Sequence, residues 1–317
     1  MRFSSLGDVA MTVPVVYSLA KAYPDVRITV LSRGYARAFF EDLAPNVSFM
    51  EADVKHEYHG IRGLNALYRR LTAKNFTAIA DFHDVLRSEY LRMRFNVEGY
   101  RVSHIDKHRR LRKLLTAQHH KRLEQLPTPF KNYADTLARL GYPVTLGFRS
   151  IFPEEGGNLN LLPAVIGPKK NYEQWIGIAP FAAHQGKVYP ERLMRQVIGM
   201  VVGRFPSARL FLFGRGQEEE RTFDKWCAEE PRCVNVSRHL EAMQQELILM
   251  SHLDLMLSMD SANMHLPCRP CSIYGNKPCL RGDYACMKNI PPEQIVERMA
   301  FVLAKTRASE KALRERE

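Results

Sequence analysis

The chain has 317 residues, 45% hydrophobic and 25% charged, the composition of a folded globular protein and not of a disordered or fibrous one. Lysine and arginine number 46 against 34 acids, a formal charge of +12, which favours phosphate, nucleic acid or an anionic membrane face as partners. No run of about 18 apolar residues reads as a bilayer span. The first eight residues place a glycine and an acid where a signal peptide needs an apolar core, so the expectation is a cytoplasmic protein with its six cysteines reduced or metal-bound.

In chain order, Val26–Leu31 and Phe76–Asp81 read as buried strands, and Tyr100–Ile105 as a third. Between and beside them Val9–Ala22, Tyr35–Leu43, Leu64–Ala73 and Val85–Phe95 carry apolar residues near a period of 3.6, the mark of helices. Phe130–Leu140 is a further helix, stopped by Gly141 and Pro143. Phe152–Tyr172, rich in Gly, Asn, Pro and Lys, reads as a linker. The alternation then restarts: strand Trp175–Pro180, helix Pro190–Phe205, strand Ala208–Phe213, helix Gln217–Ala228, helix Leu240–Ser251, strand Leu253–Ser258 and helix Pro291–Arg307. Such alternation implies parallel βαβ units. The fold expected is α/β, two doubly wound Rossmann-like domains facing a cleft, with boundaries at 1–160 and 161–300 and a last helix over 301–317. Ligands bind such sheets outside the carboxyl ends of the strands.

Four strand-end loops carry candidate chemistry. Ser4-Ser5-Leu6-Gly7-Asp8 opens the first helix, with Gly7 permitting a tight turn and Asp8 at or near the N-cap. A plain capping role is the commoner one; the alternative is a carboxylate able to take a proton from a hydroxyl. Lys187 lies between a strand end and a helix, where a ligand phosphate would sit, or is a solvated loop lysine. Gly214-Arg215-Gly216-Gln217-Glu218 is either a ligand approach to backbone or an ordinary turn with acids in the first helical turn. Ser258 to His265 runs from a buried strand into Asp260, Ser261 and Asn263, which could cap a helix whose free N–H groups bind an anion. Singly, each reads as structural; together they are four loops at strand ends.

Arg-Phe-Ser-Ser-Leu-Gly-Asp, Lys-x-aromatic-Pro-Glu at Lys187–Glu191 and Ser-x-Asp-Ser-x-x-x-His at Ser258–His265 resemble the ADP-heptose:lipopolysaccharide heptosyltransferases of glycosyltransferase family nine. The resemblance implies a glycosyltransferase-B fold with inverting, metal-independent transfer of heptose from ADP-heptose to a lipopolysaccharide inner-core acceptor. The N-terminal domain would bind the lipid A/Kdo core acceptor and the C-terminal domain the nucleotide sugar, with the last helix returning toward the N-terminal domain. Asp8 matches the general base, and Lys187 the lysine that neutralises the donor diphosphate as it departs. Glu218, Asp260, Ser261 and His265 match donor-binding positions; Ser4, Ser5 and Gly7 would face the acceptor. The rivals are another sugar-nucleotide-dependent glycosyltransferase of this fold, or a catalytically impaired binding protein.

Departures from the family pattern accompany the resemblance. Only Met1 precedes Arg2 where relatives carry a full strand, and Ala182 and Ala183 stand where a hydroxyl is common. After His265 the chain goes straight to Leu266-Pro267, so roughly 30 residues of helix, strand and donor loop are missing by comparison with a doubly wound half. That loss should weaken donor binding.

Cys268, Cys271, Cys279 and Cys286 fall within 19 residues, a spacing that suits a structural zinc or cluster metal as well as two disulfides or free thiols. The resemblance implies that no cofactor is required for catalysis. His104–Arg122 holds seven Lys/Arg and four His against one acid. It is either a solvated helix face or a surface for the anionic cytoplasmic face of the inner membrane. No nucleic-acid motif or interleaved aromatic platform is present, so nucleic acid is not an expected partner.

Overall fold

The computed structural model describes the chain except residues 116, 118, 123, 183, 184, 260–287 and 315–317, and gives the backbone alone for 185 and 306–314. It divides into two units, Met1–Lys113 with Leu123–Ile151, and Leu114–Arg122 with Phe152–Glu317.

The first unit alternates helices and short parallel strands: α1 (Leu6–Ala10), α2 (Val13–Ala22), β1 (Ile28–Ser32), β2 (Val47–Glu51), α3 (Gly60–Thr72), β3 (Ala78–Asp81), α4 (Leu86–Val97), β4 (Arg101–His104), α5 (Arg109–Leu115) and α6 (Pro129–Ala138). β1 pairs with β2 from Ile28↔Val47 to Ser32↔Glu51, and β3 with β4 from Ala78↔Arg101 to Asp81↔His104. The start of the chain runs between these two pairs. Arg2 N donates to Leu31 O (3.1 Å), and Met1 O accepts from Phe82 N (3.0 Å). Leu67, Tyr68, Leu91 and Phe95 from α3 and α4 pack in one apolar layer with Phe3 and Leu31. Val15, Leu19, Tyr133 and Leu137 from α2 and α6 pack in another with Phe82 and Ile105.

Three sequence expectations change here. The helix expected over Val9–Ala22 is two helices, because Pro14 has no N–H to donate and is tolerated only in a first turn, where it now sits in α2. Tyr35–Leu43 is not an α-helix; a 3-10 turn covers Gly34–Phe39. Strand β2 was not expected: it buries Val47 and Met50, three apart, so it lacks the period of two that marks a strand.

The second unit holds β5 (Gln174–Ala179), α7 (Glu191–Arg204), β6 (Ala208–Leu212), α8 (Gln217–Glu229), β7 (Cys233–Asn235), α9 (Val236–His239), α10 (Met243–Ser251), β8 (Leu255–Ser258) and α11 (Pro292–Arg314). The strands form one parallel sheet in the order β7-β6-β5-β8. Successive residues of a strand point to opposite faces. Ile176, Ile178, Leu210 and Leu212 therefore join α7, α8 and α11 in one core. Trp175 and Phe211 join Ile166, Leu240 and Leu249 in the other. Burial on both faces explains why β5 and β6 read as continuous apolar runs. β7 was missed because three residues show no period.

Helix α11 buries Val296, Met299 and Leu303 in the second unit's core against α7. The side chains beyond 305, on which the expected return toward the N-terminal domain bears, lie outside the described residues. Among the described residues no helix is long and apolar enough to cross a membrane.

Candidate active site

In an open doubly wound sheet the ligand crevice forms where the chain reverses its direction of strand addition. In the first unit that point is the carboxyl end of Met1–Phe3, flanked by β1 and β3. The loop leaving it is Ser4–Asp8. Ser5 is the N-cap of α1 and Asp8 its third residue, near the cap. Ser5 N (3.3 Å) and Ser5 Oγ (2.8 Å) both donate to Asp8 Oδ2. Gly7 is not needed for a turn: it lies in α1 and a Cβ there would meet nothing within 4 Å.

Arg2 Nη2 lies 2.8 Å from the same Asp8 Oδ2, and its other terminal nitrogen donates to Phe82 O. Burial alone would raise the Asp8 pKa. The Arg2 charge and the Ser5 hydrogen bonds outweigh it and hold the carboxyl below the ordinary aspartate range. Asp8 is thus a carboxylate at neutral pH, with its side chain 40% exposed. All three partners converge on Oδ2; Oδ1 takes no hydrogen bond from a described residue. Tyr133 Oη donates to Asp8 O (3.3 Å) and Tyr35 Oη to Phe3 O (3.0 Å), pinning the backbone on both sides of the serines.

The neighbouring loop, Phe82–Val85 after β3, supplies His83, which sequence reasoning missed. Phe3 N donates to His83 Nδ1 (3.4 Å), so Nε2 carries the proton and reaches Ser4 Oγ at 3.2 Å. Burial first, then the charges of Arg2 and Lys107, lower the His83 pKa to about 4, so the ring is neutral at physiological pH. The unfolded ring titrates near 6.5. Stability from this neutral burial is complete above that value and is lost as pH falls toward 4, because the unfolded chain binds the proton first. The Tm of His83→Gln should therefore fall less steeply than that of the parent between pH 6.5 and 4.5; parallel slopes would exclude this role.

The same loop is held by a buried carboxylate. Asp81, 0% exposed, accepts from His83 N (2.9 Å), Asp84 N (3.1 Å) and Arg92 Nη1 (3.1 Å). Arg92 Nη1 also reaches Asp84 Oδ1 (3.1 Å). Asp84 adopts a φ of 48°, a left-handed conformation that aspartate tolerates. The basic stretch enters here: Arg109 donates to Asp84 Oδ2 (2.7 Å) and O (3.0 Å), and Lys107 to Asp84 O (3.0 Å). Lys107 and Arg109 are thus tied to the loop and are not a free solvated face; Arg110 is exposed. The signal that could have found this loop is Asp-Phe-His-Asp directly after a strand, a polar run at a strand's carboxyl end.

In the second unit the switch point lies between β5 and β8. Ala179 pairs with Ser258, and Met259 N donates to Ala179 O (2.9 Å), so their loops leave side by side. Lys187 ends the one-turn 3-10 helix Gln185–Lys187 after β5 and is half-buried. Tyr189, buried two residues on, donates to Ile290 O (2.6 Å) and fixes this loop to the segment before α11. Glu218 is exposed in the first turn of α8, after the adjacent strand β6. The glycines before it serve the fold. A Cβ on Gly214 would come within 2.4 Å of Glu219 Oε2, and Gly216 caps α8 at a φ of 114°. Asp260, Ser261, His265 and the four clustered cysteines lie outside the described residues. Among the described residues no group of three or more metal-ligating side chains gathers.

Each unit is thus a parallel α/β unit, with a carboxylate loop at the switch point of the first and a lysine loop at that of the second. The family model of glycosyltransferase family 9 (heptosyltransferase) matches residues 64–268, well over half of the chain, and the protein belongs to that family. It is a glycosyltransferase of the heptosyltransferase class. Among solved structures, the glycosyl transferase family 9 protein from Veillonella parvula is similar at 18% identity and a TM-score of 0.65, over 96% of this chain and 96% of that one. The E. coli ADP-heptose lps heptosyltransferase II is similar at 14% identity and a TM-score of 0.61, over 97% of this chain and 100% of that one. E. coli heptosyltransferase WaaC, solved with ADP, is similar at 16% identity and a TM-score of 0.58, over 82% of this chain and 80% of that one. No curated protein sequence matches the chain.

Proposed function

We propose that the enzyme transfers heptose from ADP-heptose to an inner-core sugar of lipopolysaccharide, with inversion at the anomeric carbon and Asp8 as general base. The observation that carries this reading is the division of labour within one carboxylate. Arg2 and Ser5 hold Oδ2 and keep the group ionised, which leaves Oδ1 to take the acceptor proton. A weak base suffices, because the acceptor oxygen acidifies only as it bonds to an oxocarbenium-like carbon. No covalent intermediate is needed, so one base on the face opposite the leaving group completes the reaction.

Negative charge grows meanwhile on the departing diphosphate. Lys187 would neutralise it, and such fixed charge is typically worth ~3 kcal/mol. Glu218 would hold the nucleotide ribose, with Asp260, Ser261 and His265 around the donor sugar and phosphates. Ser4, Ser5 and the open side of Gly7 would meet the acceptor. Related enzymes support the donor: WaaC has been solved with ADP and with ADP-2-deoxy-2-fluoro heptose. The acceptor would be a lipid A/Kdo core, and the enzyme would then work at the cytoplasmic face of the inner membrane, with Arg110 toward the anionic lipid.

The test is sugar transfer to a Kdo–lipid A acceptor in vesicles, with a panel of nucleotide sugars as donors. ADP-heptose should be the productive donor, anionic vesicles should outperform zwitterionic ones, and Lys187→Ala should lose about 100-fold in turnover. Faster transfer from another nucleotide sugar would overturn the donor assignment, equal rates on both vesicle types the membrane one, and unchanged turnover the role of Lys187.

A further inference from the structure

Helix α4 is apolar on two opposite sides, and the core uses only one of them. Ser88, Leu91 and Phe95 are buried, the last two in the layer that α3 shares. Leu86, Met93 and Val97 are spaced by seven and then four residues, which at 3.6 residues per turn sets them in one stripe along the helix. That stripe points away from the core: Leu86 is 85% exposed and Val97 80%, with Met93 exposed between them. An ordinary surface helix carries polar residues on that side. A single exposed apolar side chain needs no explanation, but three in register along ~16 Å of helix do.

Helix α3 widens the stripe. Tyr90 Oη (2.8 Å) and Arg94 Nη1 (2.8 Å) both donate to Asn65 Oδ1, and the Tyr68 ring packs on Phe95, so α3 and α4 lie side by side and run the same way. Ile61, one turn before Asn65, and Leu86, one turn before Tyr90, therefore stand at the same end of the pair, and Ile61 is exposed as well. That end adjoins the candidate site. His83, which reaches Ser4, lies three residues before Leu86, and Asp84, which Arg109 binds, two before it. The surroundings are basic: α3 and α4 carry six arginines and one acid, Glu89. Arg62, Arg69 and Arg87 are exposed.

We propose that Ile61, Leu86, Met93 and Val97 form the surface that the enzyme inserts into an anionic lipid bilayer, with Arg62, Arg69 and Arg87 at the level of the headgroups. This rests on the reading of the acceptor as a lipid-borne sugar. A helix lying in a membrane interface pairs an apolar stripe, which enters the acyl boundary, with basic residues among the phosphates. Two features favour a bilayer over a protein partner. A second copy of the same face would set arginine against arginine, which is repulsive. And a sugar held on acyl chains meets the Ser4–Asp8 loop only where that loop stands at the bilayer, and the stripe begins beside it. The contribution differs in kind from that of Arg110. Attraction between exposed charges is screened by salt, whereas burial of apolar side chains is not.

The test is flotation of the full chain with vesicles of phosphatidylcholine and phosphatidylglycerol. The triple variant Leu86→Ser, Met93→Ser, Val97→Ser should bind them at least about 10-fold more weakly than the parent, with an unchanged melt because all three side chains are at the surface. Its transfer to an acceptor stripped of acyl chains should equal that of the parent, and its transfer to the same acceptor embedded in vesicles should fall. Met93→Trp gives a second reading. Both native tryptophans, Trp175 and Trp226, are buried, so the introduced indole alone should be quenched by brominated acyl chains. Vesicle binding by the triple variant equal to that of the parent would overturn the proposal, and so would vesicle binding without quenching of the indole. A parent dimer that the triple variant breaks would overturn it too, by giving the stripe to a second copy. Flotation and quenching need no sugar transfer, so a failed donor assignment leaves them intact, and a failed membrane surface leaves transfer to the stripped acceptor intact.

Discussion

Asp8→Asn should lower kcat by about 10²- to 10⁴-fold while leaving the Kd for ADP-heptose unchanged. Asparagine keeps the shape of the side chain and an oxygen that can accept from Ser5, but it cannot take a proton. On the proposed reading the donor is held by Lys187 and Glu218 and not by Asp8, so binding energy and proton transfer separate in this variant. Arg2 loses its anion yet still donates to Phe82 O, so the structural cost should stay within about 1–3 kcal/mol. Steady-state kinetics and calorimetric titration with the donor, run beside a thermal melt, distinguish the two effects. Retained turnover with a normal melt would remove Asp8 from the chemistry and leave it a capping residue.

Arg92→Met should lower Tm by about 10 °C, the largest stability loss expected of a single change outside the apolar cores. The variant keeps the side-chain stem and removes the guanidinium between Asp81 and Asp84. Asp81 is wholly buried, and an uncompensated buried carboxylate costs about 3–5 kcal/mol, or about 3 °C of Tm for each kcal/mol in a unit of this size. The two backbone N–H groups that Asp81 also accepts soften the loss without replacing a cation. Because those amides belong to His83 and Asp84, the damage reaches the loop that meets Ser4. Arg92→Met should therefore lose activity at temperatures well below its own melt. A Tm within 2 °C of the parent, a shift of about 0.7 kcal/mol by the same conversion, would show the pair to be dispensable.

Much of the fold was legible because burial on both faces writes β5 and β6 as apolar runs, β1, β3 and β8 are apolar runs as well, and the helices between them show their own period. Short elements were not legible. β2 and β7 are held by pairing to longer neighbours, and nothing within three to five residues reports a partner distant in sequence. The site was read unevenly for the same reason. Ser4, Ser5 and Asp8 were found because they share one loop, whereas His83 and Arg92 matter through contacts made about 80 residues apart in the chain or across a loop.

The sequence by itself determined the alternation of strand and helix, the basic surplus, and the loops in which Asp8, Lys187 and Glu218 stand, since each follows from local order along the chain. Tertiary structure decided what those side chains are. It ionised Asp8 and tied its Oδ2 to Arg2 and Ser5, made Lys107 and Arg109 partners of Asp84, and set Gly214 against Phe223. The reason is that ionisation, hydrogen-bond satisfaction and steric room depend on distances between groups that the chain brings together only when it folds.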